Sequence, residues 1–248
     1  MQKLVSFFGF IIGLIFPAII YAIPVTLANN LQQTRVLMLS TFLRAPYIVT
    51  EHQKKVYVRG LHAPLGTHFV VLRRGSSLTE PHNNADLGII AYYVATAKLI
   101  QTGDPAILQV AKGNRIIHQG DRLFLPMKQL RYVISYNMTN KVNAQIIATL
   151  RGTNKIGLHD IVVLNYGKSS GALPGQIFPI VRMPVLPLER FIHHSTHSSF
   201  TYVKLGSLML IQSFTHTSFA VILNIKKPIN ILDHIVSLPF WKAYVHRH

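Results

Sequence analysis

The 248-residue chain carries 25 Lys and Arg against 8 Asp and Glu, a formal charge of +17, and contains no cysteine. Hydrophobic residues make up 49% and charged residues only 13%, which excludes a disordered chain, while the lack of cysteine excludes disulfides, thiolate catalysis and Cys-based zinc sites. The bases are scattered, with no run longer than Lys54-Lys55, Arg73-Arg74 or Lys226-Lys227, so no stripe suited to a phosphate backbone exists and no nucleic-acid partner is expected.

Taken in chain order, the first element is a secretory signal over residues 1–22. Lys3 precedes an apolar run from Leu4 to Ile20, broken by Pro17, and Ala22 is the small residue before the cleavage point. The body is therefore expected to be exported to the periplasm or cell envelope. An uncleaved inner-membrane anchor is the alternative, because the uncharged stretch continues to Thr34 and exceeds the ~20 residues that a span needs.

Residues 23–50 read as a connector, in which Val36–Leu39, Phe42 and Leu43 could form a short helix. From Val56 onward the texture is that of strands: Lys55–Arg59, His68–Leu72, Gly88–Ala97, Ala106–Lys112 and Arg122–Leu125, separated by Gly, Pro, Asn and Asp. A polar stretch near 127–141 separates this set from a second: Arg131–Tyr136, Ala144–Leu150, Asp160–Asn165, Gln176–Arg182, Tyr202–Phe214, Phe219–Ile225 and Ile235–Leu238. Residues 183–199 read as a long loop. The expected fold is all-β: two small barrel-like or sandwich-like units of short antiparallel strands over 51–130 and 142–238, followed by a tail at 239–248.

Two patterns stand out. Ile116–Leu123 echoes Ile229–Ile235, each with an Asp (Asp121, Asp233) one polar residue before a strand, where its carboxylate can accept backbone N–H bonds in a turn. The stretch Ile161–Gln176 spaces Gly167, Gly171 and Gly175 four apart between two apolar strands, which reads as three sharp turns. A phosphate-cradling loop is disfavoured because the Lys-Ser/Thr ending of a P-loop is absent and no helix is expected to follow.

The segments YVRGLHAPLGTHFVVLRRG (57–75), TGDPAILQV (102–110), QGDRLFLP (119–126), VVLNYGKSSGALPGQ (162–176), LPLERF (186–191) and LGSLMLIQSFTHTSFAVI (205–222) resemble, in order, exported LysM-domain-containing peptidoglycan-binding proteins of Gram-negative bacteria. The resemblance covers the β-rich region that follows the LysM module in that family. A LysM module needs about 40 positions at typical element lengths, more than residues 23–50 offer, so the module itself is absent here. The resemblance implies an envelope location and a partner in peptidoglycan or another anionic envelope polymer, with envelope proteins as further partners.

The eight carboxylates are dispersed, and neither a glycosidase pair nor a Gly-x-Ser-x-Gly nucleophile elbow is evident, so a wall-processing hydrolase is the least favoured reading. His193, His194, His197 and His216 could be metal ligands but read as solvated loop histidines, and no metal or other cofactor is expected. The expected function is non-catalytic binding to the cell wall, through a diffuse basic surface that includes Arg59, Arg73, Arg74, Lys112, Arg115 and Arg122. An assembly module acting by strand addition is the rival reading. Gly167, Gly171, Gly175 and Asp121 are assigned to structural turns. Replacing Gly171 or Gly175 by Val is expected to lower the melting temperature more than any exposed Lys→Ala change, since a β-branched residue at positive φ costs about 1 kcal/mol or more and exposed substitutions about 0.5 kcal/mol or less. Equal melting temperatures for the two classes would refute the turn assignment.

Overall fold

A computed structural model of the chain describes residues 33–113, 115–127, 142–182 and 202–237. The signal peptide, the strand expected at 131–136, the loop at 183–199 and the tail at 239–248 lie outside the described residues. The described residues divide into two units, 33–35, 46–73, 92–113 and 115–127 in the first and 36–45, 74–91, 142–182 and 202–237 in the second.

The fold is all-β. A short strand β1 (Arg35–Leu37) and a six-residue helix α1 (Leu39–Arg44) precede a ring of six antiparallel strands: β2 (Tyr47–His52), β3 (Lys55–Arg59), β4 (His68–Thr79), β5 (Asp86–Gln101), β6 (Ala106–Gly113) and β7 (Arg122–Phe124). Their order is β2-β3-β6-β5-β4-β7, and β7 returns to β2, with β1 added alongside β5. The second ring holds β8 (Asn143–Thr149), β9 (Ile161–Leu164), β10 (Ile177–Arg182), β11 (Val203–Ser213), β12 (Ser218–Ile225) and β13 (His234–Val236) in the order β8-β9-β12-β11-β10-β13, closing on β8.

Renumbered from its own first strand, each ring has the same order, and the correspondence extends to register. Ile48 faces Val58 across β2 and β3 as Ile146 faces Leu164 across β8 and β9. A bulge follows Ile48 and another follows Ile146. The bulges of β5, at Thr96/Ala97 and Leu99/Gln101, recur in β11 at Ser207/Leu208 and Leu210/Gln212. The β3–β4 connection ends in a turn in which the amide of Gly66 donates to Leu99 O at 2.9 Å; in the second ring Gly175 donates to Leu210 O at 2.7 Å. From this turn Pro64–Arg73 aligns with Leu173–Arg182 without a gap.

The inward faces follow from strand periodicity. Val56 and Val58 are buried while Lys55 and Arg59, flanking them on β3, are exposed. The first core gathers Ile48, Val56, Val58, Phe69, Val71 and Leu99, and the second gathers their counterparts Ile146, Val162, Leu164, Phe178, Ile180 and Leu210.

The last strand of each ring has only three residues, and each is held by the same clasp. Arg73 on β4 donates from Nε and Nη2 to the two carboxylate oxygens of Asp121 at 2.9 and 2.7 Å, and Nη2 also donates to Ile116 O. Arg182 on β10 grips Asp233 at 2.6 and 2.7 Å and reaches Pro228 O. Each Asp is buried, accepts the N–H of the residue three positions earlier (His118, Asn230), and offers its own carbonyl to Ile48 or Ile146 on the first strand. The preceding residue is in the left-handed region in both rings, as Gly120 (φ 88) in one and Leu232 (φ 73) in the other. The echo between Ile116–Leu123 and Ile229–Ile235 is thus one loop built twice.

The sequence boundaries of β3, β6, β9, β10, β11 and β12 lie within a residue or so of those found, but three expectations need correction. The first ring begins at Tyr47, inside the stretch expected to be a connector. The same stretch also holds β1, while α1 is the short helix expected there. Strands β4 and β5, at 12 and 16 residues, are not short. Arg73→Met and Arg182→Met are each expected to cost about 3 kcal/mol, because they leave a buried carboxylate unpaired. Asp121→Asn is expected to cost less, since the arginine left behind is partly solvated and an amide oxygen can still accept the His118 N–H. Urea denaturation of the three variants checks the order; equal losses would show that the carboxylate is not the costly partner.

Candidate functional site

The basic residues singled out from the sequence separate into two groups. Arg59, Arg74, Lys112 and Arg115 are exposed. Arg73 is not a free surface charge: Asp121 engages its guanidinium and, through that hydrogen bond, raises its pKa further above the ordinary value. Arg115 and Arg122 stand over the rings of Tyr92 and Tyr47 at 5.3 and 5.0 Å. Arg35, which sequence reading passed over, stands 5.6 Å from the Phe124 ring and donates to Leu125 O at 3.0 Å; burial lowers its pKa to about 10. Arg73, Arg151 and Arg182 form ion pairs with Asp121, Asp160 and Asp233, and with 25 bases against 8 acids the positive charge far exceeds what acidic side chains can neutralise.

The loop of regularly spaced glycines is structural, but its glycines serve two ends. Gly171 and Gly175 adopt φ of 90° and 93°, as sharp turns require. Gly167 is ordinary extended backbone (φ −122°), and its need is closeness: a Cβ there would overlap the backbone of Thr215 and His216. The 3-10 turn that follows, Lys168–Ser170, is bonded to the β11–β12 loop, with the amides of Lys168 and Ser169 donating to Phe214 O and Thr215 O at 2.8 and 3.0 Å. Ser169 Oγ also donates to Thr215 O at 2.8 Å and lies 3.3 Å from His216 Nδ1. His216 is therefore engaged in this loop packing, whereas His193, His194 and His197 lie outside the described residues. No group of three His, Asp or Glu placed to hold a metal occurs among the described residues.

The corresponding end of the first barrel is open. A cleft of about 400 Å³ lies between the β3–β4 and β5–β6 loops, lined by Gly60, Leu61, His62, Ala63, Thr102, Gly103 and Asp104. The β5–β6 connection is one residue shorter than its counterpart, with five residues between the paired Gln101 and Ile107 against six between Gln212 and Phe219, and the β3–β4 loop is three residues shorter, the length of the Lys168–Ser170 turn. Sequence reading missed these residues because the feature is made by a deletion; the ungapped match of Pro64–Arg73 to Leu173–Arg182 is the signal that reveals it.

A titratable group sits beside the second clasp. His234 pairs across the β8–β13 ladder with Gln145, in the register position that Arg122 and Tyr47 hold in the first ring. Its Nδ1 lies 2.8 Å from Asn143 Oδ1 and its Nε2 lies 3.1 Å from Gln145 Nε2, which also donates to Leu232 O. An acceptor on one side and a donor on the other fix a single neutral tautomer. Burial, with the nearby His82, lowers the His234 pKa against the opposing pull of Asp233.

No protein-family model matches the chain, and no curated protein matches its sequence.

Because the folded state resists protonating His234, the unfolded state takes up the extra proton as pH falls through its ordinary value of about 6.5. Stability of the second barrel should decline from pH 7.5 to pH 5 and level off below the folded pKa. Urea midpoints measured across that range for the parent and for His234→Gln should show a smaller decline in the variant; an equal decline would place the pH sensitivity elsewhere.

Proposed function

We propose that this protein is a non-catalytic component of the cell envelope that holds peptidoglycan, or another anionic wall polymer, by many weak contacts. The observation that supports it is the disposition of charge. The two buried carboxylates among the described residues, Asp121 and Asp233, are each enclosed by an arginine clasp, while Arg59, Arg74, Lys112 and Arg115 remain exposed on the first unit and its continuing strand. A diffuse positive surface of this kind attracts a polyanion without a pocket. The N-terminal signal-like segment and the resemblance to exported wall-binding proteins point the same way. No helix among the described residues is long and apolar enough to cross a membrane. Strand addition has less to use, since ring closure leaves only the three-residue β1, laid along β5, as an end strand among the described residues.

Retention on purified peptidoglycan sacculi should be strong near 0.1 M salt and lost by 1 M, as the Debye length falls from about 10 Å to about 3 Å. The triple variant Arg59→Ala, Arg74→Ala, Lys112→Ala should bind several-fold more weakly with an unchanged melting temperature; Arg73 is left intact because the fold uses it. Retention that survives 1 M salt and is competed by N-acetylglucosamine oligomers would replace this reading with a specific glycan site.

A further inference from the structure

The two barrels share strand order, register and bulges, so each is a template for the other, and they differ at one end. Between Val58 and Phe69 the first barrel has ten residues, and between Leu164 and Phe178 the second has thirteen. The additional three form the Lys168–Ser170 turn, which seats against the β11–β12 loop through Gly167, where any side chain would collide, and through successive amide donors to Phe214 O and Thr215 O. In the first barrel the same place is the cleft lined by Gly60–Ala63 and Thr102–Asp104. Its volume falls within the range of ligand pockets, about 300–1,000 Å³.

We infer that this cleft is a receptor for a glycine-led peptide turn of small, donor-bearing residues, supplied by another polypeptide. The second barrel shows what such a site accepts: a Gly-Lys-Ser-Ser turn. The walls of the cleft are altered in the sense expected for an incoming segment. Thr102 is exposed at the entrance, and the β5–β6 connection is one residue shorter than its counterpart, which leaves the entrance open. Asp104 lines the cleft, and its carboxylate can accept the N–H and O–H bonds that a turn of this kind offers. Gly103 (φ 143°) turns the loop, and His62, Thr102 and Asp104 supply the polar contacts. Leu61 and Ala63 supply an apolar floor, which the second barrel's loop keeps at Ala172.

The test uses the full chain, labelled for amide NMR, and the synthetic peptide Tyr-Gly-Lys-Ser-Ser-Gly-Ala, with a scrambled peptide as control, in 1 M salt. High salt separates this site from charge-driven wall retention, so the two proposals fail independently. Saturable shifts confined to the amides of 60–63 and 102–104, absent with the scrambled peptide, are expected. Thr102→Phe, which places a large ring at the entrance, should weaken binding at least tenfold. Inserting Lys-Ser-Ser after Leu61 should abolish it; if that insertion does not fold, the exposed Thr102 position still decides the matter. No saturable shift, an equal response to the scrambled peptide, or unchanged affinity in Thr102→Phe would overturn the inference.

Discussion

The closure of each barrel depends on one interaction, the bidentate grip of an arginine on a buried aspartate. The final strand of each ring spans three residues, too few for its ladder bonds alone to hold the first strand to the third. Arg73 and Arg182 remedy this by gripping the loop that leads into that strand, and the aspartate carbonyl then docks on Ile48 or Ile146. A two-pronged guanidinium fixes direction as well as distance, which a lysine could not. Burial of the carboxylate makes the arrangement stringent, because an unpaired charge there is costly. In a chain with only eight acids, two are committed to this purpose.

Much of the fold is legible along the chain because strand faces are local. The alternation of Lys55-Val56-Tyr57-Val58-Arg59 marks β3 without reference to anything else. Strand β2 escapes because its hairpin turns through Gln53-Lys54, both at positive φ (49° and 61°), without the Asn or Gly that usually signals such a turn. Ring closure is equally hidden, since the partners of the clasp are 48 and 51 residues apart. The repeat itself is masked at its most diagnostic point by Leu232, which occupies a left-handed conformation that Gly120 takes in the other copy.

The candidate site was harder to read for a related reason. Basic residues can be counted in a sequence, but whether each is solvated or engaged depends on distant partners, as the contrast between the neighbours Arg73 and Arg74 shows. The cleft has no residue signature at all. It exists because one loop lacks a turn that the other has, and the lack shows only when Pro64–Arg73 is matched to Leu173–Arg182. Divergence between the barrels is concentrated in such places: a permanent charge at Arg122 against a titratable one at His234, an open end against a plugged one.

Two barrels of identical register in one chain create a hazard during synthesis, since a strand of one copy can pair in the place of its counterpart before the proper partner arrives. The cores carry a safeguard. On the inward face, the diagonal neighbours Ala97 and Leu108 of the first barrel correspond to Leu208 and Ala220 of the second, with the large and small positions reversed. An exchanged barrel would set Leu208 beside Leu108, overfilling its centre, or Ala97 beside Ala220, hollowing it, and either is destabilising. Volume complementarity thus acts as a label of kinship, letting each strand recognise its own barrel where hydrogen bonding alone could not.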